Sequence, residues 1–204
     1  MRRRAVFAAW AVVVAAVCGG LLFAGCSSES DASGAKTTAA DEHDWSWFVD
    51  TYWIVPEDGI YNVVHRPKDN SFTMAKGQTV FHLTDYSTGY FTGAVVVKFG
   101  EPLVPLCQFV LGQITPEGAV HMTMYNADDG AVVNFPVGSM EKRDGEWAMV
   151  NQMTGGTGAT LSHWAFMVQS EAGDPSWDDL PFAHEAIPDF MSACPAGPIL
   201  RNKP

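Results

Sequence analysis

Residues 77–99 read GQTVFHLTDYSTGYFTGAVVVKF: two extended segments, Gly77–Tyr86 and Gly89–Phe99, separated only by Ser87-Thr88. Runs rich in β-branched and aromatic residues, joined by a two-residue link beside a glycine, are the strongest short-range signal for an antiparallel hairpin. The pattern continues downstream. Cys107–Thr115 leads through Pro116-Glu117-Gly118 into Gly118–Tyr125, and Ala131–Met140 follows Ala127-Asp128-Asp129-Gly130. Glu146–Met153 comes after Arg143-Asp144-Gly145, and Thr160–Gln169 after Gly155-Gly156-Thr157-Gly158. Upstream, Thr51–Val55 and Ile60–His65 flank the turn Pro56-Glu57-Asp58-Gly59, and a short piece, Ser71–Met74, precedes Gly77. A meander of about nine strands must bury one face and dispose of two edges, and closure does both. The expected fold is all-β, an up-and-down antiparallel β-barrel of about 8–10 strands, with a short helical segment at its C-terminal end.

The N-terminus has a different character. Arg2-Arg3-Arg4 precedes the apolar run Ala5–Phe23, and Ala24-Gly25-Cys26 closes it with small residues before a cysteine. These are the three parts of an export signal. Leu22-Phe23-Ala24-Gly25-Cys26 resembles the lipobox of bacterial lipoproteins, with Phe23 standing where that family usually has Leu. The resemblance implies that Cys26 is lipidated by a diacylglyceryl group, that the chain is cut before it, and that the new amine is acylated, with palmitate-type chains holding the protein to a membrane. An uncleaved membrane anchor is the competing reading. In both, the body of the protein lies in the cell envelope on the extracytoplasmic side, periplasmic or at the cell surface.

This reading divides the chain into a signal peptide (1–25), a tether (26–44), a barrel domain (45–197) and a tail (198–204). The tether, rich in Ser, Ala and Thr without apolar periodicity, is expected to be disordered. Without Arg2–Arg4, nine Lys/Arg face 23 Asp/Glu, a formal charge of −14. Such an acidic body excludes nucleic acid as a partner class and disfavours electrostatic adhesion to anionic lipid. Cys18 leaves with the signal and Cys26 is consumed by lipid, so Cys107 and Cys194 remain as an even pair in an exported protein. A disulfide between them is expected, with two buried thiols as the alternative. Neither has the spacing of a zinc or CxxC site.

Asp44–Val55 (DWSWFVDTYWIV) opens the domain with five aromatic rings. Its first residues suit a helical turn and Thr51–Val55 a first strand. An aromatic at this place resembles lipocalins and other calycins, in which a Trp plugs one barrel end. The resemblance implies that role for Trp53, although the glycine of the family's Gly-x-Trp is replaced by Thr51. At the other end of the chain, Asp174 and Pro175 mark a helix start, and His184–Ala193, restricted by Pro188, suits a second short helix.

Strand parity separates candidate site residues by face. Gln78, Val80, His82, Thr84 and Tyr86 share one face; His121 and Tyr125 share another, opposite Val120, Met122 and Met124. His163 opposes Trp164, and Asn151 aligns with Trp147, Met149 and Met153. Three strands thus carry one histidine each near the middle, on faces that mix polar and apolar groups as a ligand-recognising lumen requires. Period 2 leaves open whether His82, His121 and His163 converge inside or stand singly outside. No His-x-His or HExxH spacing supports a metal, and no cofactor is expected. The leading functional expectation is a membrane-anchored lipoprotein binding a small, partly apolar ligand in its lumen. The alternatives are a calycin-fold enzyme of isomerase, lyase or cyclase type using His and Tyr, and a structural or assembly lipoprotein.

Overall fold

The computed structural model describes residues 44–56, 60–99, 104–156 and 158–203. The signal peptide, Cys26, nearly all of the tether and the turn residues 57–59 lie outside the described residues. Thr38–Pro204 forms one compact unit. A 3₁₀ turn, Ser46–Phe48, precedes ten strands and two short helices.

The strands are β1 (Thr51–Ile54), β2 (Tyr61–Arg66), β3 (Ser71–Ser87), β4 (Tyr90–Phe99), β5 (Val104–Ile114), β6 (Ala119–Asn126), β7 (Val132–Asn134), β8 (Val137–Arg143), β9 (Glu146–Gly155) and β10 (Thr160–Ser170). All pair antiparallel. β1 and β2 each pair with both β10 and β3, one above the other, so together they make one stave. β7 and β8 do the same between β6 and β9. The result is a closed eight-stranded barrel in which chain neighbours are sheet neighbours and β10 returns to β1 and β2.

Both broken staves have local causes. The Gln78 side chain clasps Val55 where β1 ends, donating to its carbonyl at 3.0 Å and accepting from its N–H at 3.3 Å, as a neighbouring strand's backbone would. Phe135-Pro136 divides the single strand expected over Ala131–Met140, because proline cannot donate to the ladder. Its carbonyl still accepts from Met122 at 2.9 Å, so the stave continues. In contrast, Ser71–Met74 is not a separate strand: β3 runs unbroken through Gly77, whose missing side chain leaves room for the Phe99 ring.

Two hairpins turn where positive φ is required. Thr88-Gly89 (φ 48° and 88°) joins β3 to β4, and Asp144-Gly145 (53° and 91°) joins β8 to β9, the two-residue geometry that matches strand twist.

The core has two parts. Inside the barrel lie Phe81, Leu83, Phe91, Val95, Val97, Val110, Met122, Met124, Met149 and Met167. Outside it, Ile54, Val80, Ala94 and Val96 are covered by Trp177 from α1 (Pro175–Asp178) and by Ile187, Phe190 and Met191 from α2 (Ile187–Ser192). This explains why Ala94–Val97 shows no polar alternation: β4 is buried on both faces. Asp174 caps α1, accepting from the Ser176 N–H at 2.9 Å, and Pro188 sits in the first turn of α2, where its missing N–H costs nothing. The C-terminal segment is held by a Cys107–Cys194 disulfide with Cα atoms 5.4 Å apart. It then crosses β3 and β4, where the Pro198 carbonyl accepts from Thr92 (2.7 Å) and Thr84 (3.1 Å), and Asp85 holds the Leu200 N–H and the Lys203 ammonium.

Candidate functional site

The barrel's two ends differ. At the end formed by Ile114, Val120 and the β3–β4 turn, the N-terminal segment folds inward and packs its rings edge-to-face. Phe48 lies 5.6 Å from Trp53 and 5.5 Å from Phe91, and Trp45 lies 5.0 Å from Trp147. Trp53 is fully buried, and its Nε1 donates to Thr51 Oγ1 at 3.0 Å; Trp45 Nε1 donates to the Thr115 carbonyl at 3.0 Å. Both indole N–H groups are therefore satisfied, as buried tryptophans require. This aromatic cluster closes the end.

Toward the other end the interior holds a cavity of ≈ 600 Å³. Val64, Thr79, Val97, Phe99, Met124 and Met153 form much of its wall, and exposed Arg66 and Asp128 stand at its rim. The size falls within the range of small-molecule sites. Asn62, Gln108, Asn134 and His163 also line it. Asn62 is 2 % exposed and Asn151, one inward position deeper than Met153 on β9, is 1 % exposed. The carbonyl oxygens of Asn62, Gln108 and Asn134, and both amide atoms of Asn151, are buried without a hydrogen-bond partner among the described residues. An unpaired buried polar group costs about 1–3 kcal/mol, so four such side chains around one interior are a concentrated expense of stability.

The candidate residues are divided by the barrel wall. His163 is buried inside, directly across the ladder from Asn62 and from Met153. Asn151 and Trp53 are also interior. Tyr86 leaves the face of His82, because a register shift between Leu83 and Asp85 pairs it with inward-facing Phe91 and packs it against the interior core. His82 stands on the outer wall, stacked on Tyr52 at 4.3 Å, with Nε2 2.9 Å from Asp50 Oδ1. Burial, with the nearby Asp50 charge, pushes the Tyr52 phenol above its ordinary pKa. His121 is exposed on the outside, in a shallow groove of ≈ 290 Å³ with Leu111, Phe135 and Val137; half-buried Tyr125 shares its side of β6. The three histidines therefore do not meet. Among the described residues, no group of three or more His, Cys, Asp or Glu could hold a metal ion.

Asn62, Gln108 and Asn134 are site residues that strand reading passed over. Asn62 and Gln108 alternate with interior apolar neighbours, a polar residue in an apolar row, but that signal has no meaning until the inward face is known.

Comparison with family models, with curated proteins and with solved structures finds no match for this chain.

Proposed function

We propose that this protein is a lipid-anchored, extracytoplasmic binding protein that holds a small, partly apolar molecule in its barrel lumen. The observation that carries the reading is the ≈ 600 Å³ interior cavity walled by apolar side chains and a few buried polar ones, the composition of a recognition pocket. Support for the calycin-like assignment is the eight-stranded closure, the aromatic cluster around Trp53 at one end and the helices packed on the outer wall. The anchor rests on the sequence from Arg2 to Cys26, with the thiol of Cys26 taking the lipid. Binding is favoured over catalysis by the kind of polar group in the lumen. Amides orient a ligand but do not exchange protons at neutral pH, and away from the rim His163 is the titratable side chain among the described cavity-lining residues.

Native mass spectrometry of residues 41–204, purified from the source organism, tests the lumen. A co-purifying molecule of low mass, lost on unfolding, is expected. Protein carrying no such molecule, and taking up none from a lipid extract of the same cells, would refute the reading. Intact-mass analysis of the protein from the membrane fraction is expected to show a chain that begins at Cys26 and carries diacylglyceryl and acyl groups. A chain that still begins at the N-terminal Met without added lipid mass would refute the lipid anchor.

A further inference from the structure

Resting on the lumen-binding reading, we infer that the lumen selects a neutral amphiphile whose polar end donates hydrogen bonds, such as an alcohol or a primary amide, and rejects a carboxylate of similar length. The buried amides decide this. Asn62 Nδ2 donates to the Ile60 carbonyl at 3.2 Å. A carbonyl only accepts, so this contact fixes which way the Asn62 amide points and leaves its oxygen as the group turned to other partners. That oxygen is buried and lacks a donor among the described residues, as do Gln108 Oε1 and Asn134 Oδ1, and all three residues line the cavity. Acceptors of this kind are completed by a ligand hydroxyl or amide N–H, which needs small side-chain rotations to reach them.

Charge supports the same class. The charged residues among the described cavity-lining positions are Arg66 and Asp128, opposite in sign and both exposed at the rim. Deeper in the lumen, among the described lining residues, no Lys or Arg faces the amides to neutralise a carboxylate, and His163, across from Asn62, is the one titratable neighbour. Burying a carboxylate without a fixed cation is strongly disfavoured. The acidic body of the protein repels anions before they arrive. A site built to pair with donors also discriminates sharply against an analogue that lacks them, because its own buried groups are then left unmade.

The test compares 1-octanol, methyl octanoate and octanoate by titration calorimetry against residues 27–204 in detergent-free buffer, which contain the whole compact unit. Octanol is expected to bind at least about tenfold more tightly than the ester, which accepts but does not donate, and than the anion. Asn62→Leu is expected to remove about tenfold of octanol affinity and leave the ester unchanged. The same variant is expected to raise the thermal midpoint by about 2–4 °C, since it deletes an unpaired acceptor while the Ile60 carbonyl keeps its bond from the Gly77 N–H at 3.1 Å. Gln108→Leu provides a second variant should Asn62→Leu misfold. Equal binding of octanol and ester, or tightest binding of octanoate, overturns the proposal while leaving a binding lumen in place. Binding of none of the three overturns the proposal as well, and the native mass spectrum then decides whether the lumen reading stands.

Discussion

Asn62 on β2 and His163 on β10 stand directly opposite each other in the barrel ladder, and both are buried, at 2 % and 7 % exposure. Two polar side chains are thus held side by side in an otherwise apolar interior, on strands almost 100 residues apart in sequence. Barrel closure brings them together, because β10 finds its partner in the first stave. The pair makes a polar patch on the wall of the lumen, while His82 and His121 lie on the far side of that wall.

This separation has a direct consequence for mutagenesis. His163→Ala is expected to weaken lumen binding, measured with the molecule that co-purifies with the wild type. His121→Ala is expected to leave binding unchanged and stability within about 0.5 kcal/mol, as for most exposed substitutions. Lost binding in the His121 variant would contradict the observed strand facing.

Trp53 fills the closed end without exposed surface and meets Phe48 edge-to-face. Trp53→Ala is expected to cost about 3–5 kcal/mol in denaturant-induced unfolding. Retention of near-wild-type stability would show that the aromatic cluster is not part of the folded core.

Asn151 is 1 % exposed, with neither amide atom paired among the described residues. Asn151→Leu, of similar shape, is expected to stabilise the barrel by about 1 kcal/mol, because the variant no longer buries an unpaired amide. A destabilised variant would indicate that the amide has a partner in solution.

Asp85 couples the tail to the barrel wall. The hydrogen bond from Lys203, aided by those from the Leu200 and Tyr86 N–H groups, holds its carboxyl below the ordinary Asp value. A pKa lowered on folding means that the stabilisation is complete above the unfolded value, near 3.9, and is lost as pH falls through the folded one. Hydrogen exchange in residues 197–203 is expected to accelerate as pH drops below about 4, after correction for the intrinsic rate. Asp85→Asn is expected to produce the same loosening at neutral pH, at a cost of about 1 kcal/mol. Unchanged protection in the variant would show that the tail is held by other contacts.

The Cys107–Cys194 bridge spans 87 residues. Replacing both cysteines by Ser is expected to cost about 2–4 kcal/mol while the far-ultraviolet dichroism of the barrel persists, since each stave is paired without the bridge. Loss of the strand signal would instead make the disulfide a condition of folding.

Much of the fold was legible in the chain. The turn at Asp144-Gly145, the β3–β4 hairpin (expected at Ser87-Thr88 and found one residue on, at Thr88-Gly89), the alternation in β6 and β9, and the paired Cys107 and Cys194 each act locally or by simple pairing. Where the local reading failed, longer-range contacts decided. Gly77 stays within a strand because Phe99 packs over it, and Tyr86 turns inward because a bulge shifts the register by one residue. Val95-Val96-Val97 gave no facing at all, since α2 covers the side that solvent would otherwise wet.

The sequence by itself determined an all-β meander, its hairpin points, its acidic surface and the two faces of each strand. A period of two separates those faces without saying which is inside. Only the closed tertiary structure decided that His163 and Asn151 face the lumen and that His82 and His121 do not. Inside and outside are set by which strands meet at closure and which outer face the C-terminal helices cover, and both are contacts between residues far apart in the chain.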